Sequence, residues 1–178
     1  MALQQSAAVL DSVPEVRYLT LGGGNQNGAF TQSALQAITA AIEAGQFAAY
    51  AGVAYDVEEG DSGLGAAFAA SFAAAKAQGL KVLVTVSYSE PYGISDAASL
   101  MQGFFADDNI DYLSPQLYTS GTETQNDYTA VGVSWEKYTT TKASVTPSIV
   151  QADMYADAQN YFAQQGVTLG GFVQWSQG

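Results

Sequence analysis

Strand-like runs alternate with helical segments along this chain, and the alternation restricts its fold more than any other feature. Six runs read as strands, with centres at Tyr18, Val53, Val84, Leu113, Val145 and Val173. The centres recur about every 30 residues. Strands that alternate with helices pair in parallel, because each helix returns the chain to the starting end of the sheet. The sequence therefore predicts one α/β domain over residues 1–178.

Polar and aromatic residues follow most of these strands, as they do at the C-terminal face of a (β/α)8 TIM barrel. A complete barrel of this type needs about 250 residues, and this chain has 178. We therefore expect an incomplete (β/α)8-type TIM barrel with about six βα units. The strand edges at residues 16–21 and 171–175 would then be open. Three arrangements could cover them: pairing with a second copy of the chain, pairing with a missing N-terminal segment, or direct pairing with each other.

The balance of charged and reactive residues excludes several function classes. Lys and Arg number 5 against 17 Asp and Glu, and the net charge is -12, so neither nucleic acid nor an anionic membrane surface is expected as a partner. The chain has no Cys and no His, which excludes thiolate catalysis and the Ser-His-Asp triad. Acid-base chemistry must then use carboxylates, Tyr or Lys. The start of the chain lacks the pattern of a signal peptide, although the composition, low in Lys and rich in Ser, Thr, Gln, Gly and Tyr, favours an extracellular protein.

Two carboxylates lie at the end of the second predicted strand, residues 50–59. Side chains alternate between the two faces of a strand, so Asp56 and Glu58 share one face. Their mutual repulsion raises at least one pKa and leaves a protonated carboxyl near neutral pH, which suits general acid catalysis. The alternative is a pair of solvated acids at a strand end. Glu90, at the end of the third strand, also has two interpretations: a contact at the rim of a site, or a solvated acid.

A glycine-rich segment, GGGNQNG at residues 22–28, follows the first strand. It has neither the Lys of a P-loop nor the spacing of a dinucleotide site, so phosphate binding is not expected. The segment fits either a close passage of Gly22 and Gly23 beside a ligand or a flexible loop.

Four strand ends resemble motifs of the family 18 glycoside hydrolases, which include chitinases and inactive chitinase-like lectins. LTLGG at residues 19–23 is similar to the third-strand Ser-x-Gly-Gly motif, with Thr20 in place of Ser. AGVAYDVE at residues 51–58 is similar to the fourth-strand D-x-x-D-x-D-x-E motif. QLY at residues 116–118 resembles the sixth-strand Gln-x-Tyr of the plant-type branch, and GGFVQWS at residues 170–176 resembles the eighth-strand Gly-Gly-x-x-x-Trp-Ser.

The resemblance implies retaining hydrolysis of a chitin-type polymer of β-1,4-linked N-acetylglucosamine, assisted by the substrate's own acetamido group. It implies that Glu58 is the acid, that Asp56 stabilises the acetamido N–H, and that Tyr118 donates to the acetamido carbonyl. Gln116, Trp175, Gly22 and Gly23 would contact the sugar. No cofactor or metal is implied.

Two departures from the family pattern leave other functions open. The first two aspartates of the fourth-strand motif are replaced by Ala51 and Ala54. An aspartate at position 54 would place another carboxylate beside Asp56. Loss of these acids favours a glycan-binding protein without catalysis, whereas retention of Asp56 and Glu58 favours an enzyme. The expected open strand edges favour a third alternative, a structural or assembly subunit.

Overall fold

A parallel sheet forms the centre of the protein. The computed structural model describes residues 2–7, 16–25 and 27–174. Five strands lie side by side in chain order: β1 (Tyr18–Gly22), β2 (Gly52–Val57), β3 (Lys81–Val86), β4 (Tyr112–Pro115) and β5 (Ser144–Val145). Every neighbouring pair is parallel. The prediction of an α/β fold with a parallel sheet is confirmed.

Helices connect most of the strands, as the alternating pattern predicts. The α-helices are α1 (Ala2–Ala7), α2 (Gln32–Glu43), α3 (Gly65–Ala77), α4 (Ala97–Ala106) and α5 (Tyr155–Gln164). A 3-10 helix, Trp135–Thr140, lies between β4 and β5, and a second one, Ala152–Met154, precedes α5. Within the described ranges, none of the helices has the length and apolar character that crossing a bilayer requires.

The predicted fifth strand, residues 143–150, is divided in two. β5 pairs with β4, whereas β6 (Ser148–Ile149) pairs in parallel with β7 (Val173–Gln174). Pro147 lies between the two halves and has no backbone N–H to give to a ladder, which explains the break. A single bridge between Gln116 and Ser148 keeps β6 beside the chain that continues from β4.

The two faces of β2 have opposite environments. Val53, Tyr55 and Val57 are fully buried. Tyr55 packs edge-on against Phe72 with ring centroids 4.9 Å apart, and its hydroxyl lies 2.7 Å from the buried hydroxyl of Ser71 in α3. This contact fixes which face of β2 meets the helices, so Asp56 must lie on the other face.

That other face forms one wall of a hollow along the sheet, with a volume of about 580 Å³. Residues at alternate positions of the first four strands line it: Tyr18, Thr20, Ala54, Asp56, Leu83, Thr85 and Tyr112. Because the strands are parallel, their C-terminal ends reach the same end of this hollow. Side chains that follow the strands therefore gather there.

Candidate functional site

A cleft of about 750 Å³ lies at the C-terminal ends of the strands. It brings together most of the residues that the sequence predicted for a site: Gly22, Gly23, Asp56, Glu58, Gln116 and Tyr118. Trp175, the remaining predicted residue, lies outside the described residues. The predicted residues from β1, β2 and the end of β4 thus share one concavity, although their roles in it remain predictions.

The two carboxylates are joined through one amide. Nε2 of Gln116 donates to Oδ1 of Asp56 at 3.1 Å and to Oε1 of Glu58 at 3.2 Å. An amide NH2 group has two hydrogens, so it can serve both acceptors at once. The backbone N–H of Gln116 donates to the carbonyl of Val86 at 2.9 Å, which holds the residue in line with β3. Asp56 and Glu58 are therefore held as a pair, not as separate solvated acids.

Asp56 keeps its proton to a higher pH than an ordinary aspartate does. Burial, the charge of Glu58 and a hydrogen bond between the two carboxyl groups together raise the pKa of Asp56 from 3.8 to about 7, and burial is the largest of these causes. The sequence predicted a raised pKa from repulsion alone. In the structure, burial raises the pKa of Asp56 more than the charge of Glu58 does. The strand pattern could not predict how deeply Asp56 is buried.

Tyr118 completes the polar centre of the cleft. Its side chain is 8% exposed, and the hydroxyl is hydrogen-bonded to that of Ser148. Burial raises the pKa of Tyr118, and the charges of Asp56 and Glu58 raise it too, while the hydrogen bond with Ser148 lowers it. The net direction is upward, so the phenol stays protonated and can donate a hydrogen bond.

The glycine-rich segment passes in close contact with both acids. Gly22 pairs with Asp56 in the β1–β2 register, and the N–H of Gly23 donates to the backbone carbonyl of Asp56 at 2.8 Å. A Cβ added to Gly22, at φ +94, would lie 2.4 Å from that carbonyl oxygen. A Cβ on Gly24 would lie 2.5 Å from Oε2 of Glu58. The close passage that the structure shows is to Asp56 and Glu58, and passage beside a ligand stays a prediction.

Two further loops complete the cleft, and sequence reasoning did not place them there. Ser87, Tyr88 and Tyr92 follow β3, and residues 119–121 follow β4. The second loop is closed by Glu123, whose Oε1 accepts the N–H groups of Thr119 at 2.7 Å and Ser120 at 2.6 Å. Burial opposes the ionised form, but these hydrogen bonds outweigh it and lower the pKa of Glu123. The polar run after the fourth strand was the feature of the sequence that could have indicated this second loop of the cleft.

Glu90 is the strand-end acid that does not line this cleft. It accepts the N–H of Val133 at 3.1 Å and so holds the segment that follows residue 130. Across residues 2–7, 16–25 and 27–174, no group of three or more His, Cys, Asp or Glu side chains could hold a metal ion.

Asp56 gives stability a definite pH dependence. Because burial raises its folded-state pKa from 3.8 to about 7, the folded protein binds this proton more tightly than the unfolded chain does. The contribution to the free energy of unfolding is fully present below about pH 4 and is lost as the pH rises through about 7. We expect urea unfolding to show the wild type losing a few kcal/mol over this range relative to Asp56→Asn. Parallel pH profiles of the two proteins would contradict the expectation.

Comparison of the sequence with protein-family models gives no match, and comparison with curated proteins gives no significant match.

Proposed function

We propose that the protein is a retaining glycoside hydrolase that cleaves β-1,4-linked N-acetylglucosamine polymers. The observation that carries the proposal is the Asp56–Glu58 pair, bridged by Gln116, with the Tyr118 phenol in the same cleft. The raised pKa of Asp56 supports it. A cleft of about 750 Å³ has the volume of a small-ligand site. The chain's few cations suit a neutral polymer over an anionic one.

In this mechanism Glu58 protonates the glycosidic oxygen as the bond to the anomeric carbon breaks. The acetamido oxygen of the substrate attacks that carbon from the other side and forms a cyclic oxazolinium ion. The proton of Asp56 moves to Glu58 before this step, so Asp56 is ionised and accepts a hydrogen bond from the acetamido N–H. Tyr118 orients the acetamido carbonyl. Water, deprotonated by the Glu58 carboxylate, then opens the ring and restores the sugar with its original configuration.

The proposal also covers the barrel type, the assembly and the location of the protein. The parallel strands in chain order, with a polar cleft at their C-terminal ends, support an incomplete (β/α)8-type barrel. β1 is the first strand of the described sheet, so its outer edge offers a place where a second copy or another chain segment could pair. A polymeric substrate and the composition favour an extracellular location.

The experiment is incubation of the protein with N-acetylglucosamine hexamer, followed by mass spectrometry and proton NMR of the fresh products. We expect shorter oligomers whose new reducing ends are first seen as the β-anomer, because substrate assistance retains configuration. α-Anomers at early times would overturn the mechanism. Binding of the hexamer by calorimetry without any cleavage would replace hydrolysis with the glycan-binding alternative, which Ala54 beside Asp56 favours. Absence of both binding and cleavage would overturn both functions.

A further inference from the structure

Neutral side chains line most of the hollow along the sheet. The face of the first four strands that points away from the helices contributes to it, and so do residues 170–173. Among the described lining residues Asp56 is the only acid and there is no Lys or Arg, and the Asp56 carboxyl already accepts a hydrogen bond from Gln116. The volume of about 580 Å³ falls in the range of small-molecule sites. The hollow therefore suits an uncharged ligand of modest size.

Two threonine hydroxyls in this lining have no hydrogen-bond partner among the described residues. Oγ1 of Thr85 and Oγ1 of Thr146 are both buried, and Thr146 as a whole is 7% exposed. The nearby hydroxyls of Ser114 and Ser148 differ, because they lie 2.9 Å apart and bond to each other. A buried hydroxyl without a partner is unfavourable, and the large majority of such groups in folded proteins have one. A partner for the two threonines can enter from the hollow that both of them line.

The two threonines belong to one row across the sheet. Thr85 of β3 pairs with Ser114 of β4. Ser114 and Thr146 each follow one member of the pair Leu113 and Val145, so Thr146 continues the row on the far side of β4. Neighbouring strands are about 4.8 Å apart, so two spacings separate the backbones of Thr85 and Thr146 by roughly 10 Å. One ligand oxygen for each hydroxyl suits this separation better than one shared oxygen.

An apolar row lies directly beside the threonines. Leu83 is two residues before Thr85 on the same face of β3, and it pairs with Ala54 of β2 and with Tyr112 of β4. All three residues of this row line the hollow. Successive side chains on one face of a strand are about 7 Å apart, so rings that rest on the apolar row can reach the threonine row with their oxygens. An apolar surface with a few well-placed polar groups is typical of small-molecule sites.

We propose that the hollow binds a neutral, largely apolar ring compound that has a hydroxyl or carbonyl oxygen at each end. One oxygen bonds to Thr85 and the other to Thr146, while the rings lie on Ala54, Leu83 and Tyr112. An anionic ligand would find no Lys or Arg among the described lining residues to pair with its charge. Neither threonine lines the cleft, so the inference does not depend on the proposed hydrolase function.

The test is equilibrium dialysis of the full chain with 2,6-dihydroxynaphthalene and with naphthalene, which has the same rings but no oxygen. We expect one saturable site for the diol and weaker binding of naphthalene. Thr85→Val and Thr146→Val each keep the shape of the side chain and remove the hydroxyl. Each should weaken binding of the diol by about three- to tenfold, the usual effect of one hydrogen bond, and leave naphthalene binding within about twofold of wild type.

Thr129→Val is the matched control, because Thr129 is exposed and lines neither the hollow nor the cleft. We expect this variant to bind both compounds as the wild type does. Ala54→Phe places a ring on the apolar row and should abolish binding of both compounds, with circular dichroism to verify that the variant is folded.

Absence of saturable diol binding to the wild type would overturn the inference. Diol binding that is unchanged in both valine variants and in Ala54→Phe would also overturn it, because the compound would then bind elsewhere on the protein. An equal loss of diol and naphthalene in the valine variants would overturn it as well, since the hydroxyls would then act on the fold and not on the ligand oxygens. The dialysis contains no polymer, so this inference and the proposed hydrolase function fail separately.

Discussion

Glu58→Gln is expected to lower kcat on N-acetylglucosamine oligomers by roughly 10³-fold, since a positioned general acid contributes about 10²- to 10⁴-fold. The glutamine amide has the shape of the carboxyl but no acidic proton to give to the leaving oxygen. Gln116 can still bond to its carbonyl oxygen, so the cleft should keep its form. Rates from product chromatography, with circular dichroism to verify folding, measure the effect.

Glu90→Gln is the matched control, because it makes the same change in an acid at the end of the neighbouring strand. The side chain of Glu90 accepts the N–H of Val133, a bond that a glutamine carbonyl can keep, and it does not line the cleft. We expect this variant to retain wild-type kcat. A Glu58→Gln protein that cleaves the hexamer at the wild-type rate would remove Glu58 from the mechanism.

Phe68→Ala is expected to lower the free energy of unfolding by about 3 to 5 kcal/mol, the usual cost of truncating a fully buried phenylalanine. Phe68 has 0% exposure, and its ring lies 5.0 Å from that of Phe30 and 5.4 Å from that of Phe104. It belongs to the aromatic cluster that also holds Tyr55 on the helix side of β2. Urea unfolding at constant pH measures the loss.

Phe172→Ala provides the comparison for this core variant. Phe172 is 39% exposed and has a ring contact with Tyr155 at 4.8 Å. We expect its truncation to cost about 1 kcal/mol or less, because a large part of its surface already contacts water and the lost ring leaves no enclosed cavity. Equal losses for the two variants would mean that the cluster around Phe68 does not form a tightly packed core.

Alternation of side chains along residues 50–59 was sufficient to place Asp56 and Glu58 on one face, and the alternation of strands with helices was sufficient to predict the parallel sheet. It could not predict that Gln116 bridges them, because that contact joins strands whose relative position depends on the whole sheet. The division of the fifth strand at Pro147 was also missed, although the proline itself was a readable signal. Nothing in the sequence indicated the left-handed backbone of Tyr88, because positive φ is usually found at glycine or asparagine.

The hollow along the sheet gives Asp56 a second accessible side. It shares Thr20, Asp56, Gln116 and Tyr118 with the cleft, so Asp56 can be approached from beneath as well as from the side where a sugar would lie. A substitution at Ala54 changes the polarity under that carboxyl without adding atoms above it. The pKa of Asp56 can therefore be changed from the hollow, at Ala54, while every residue that lines the cleft stays the same.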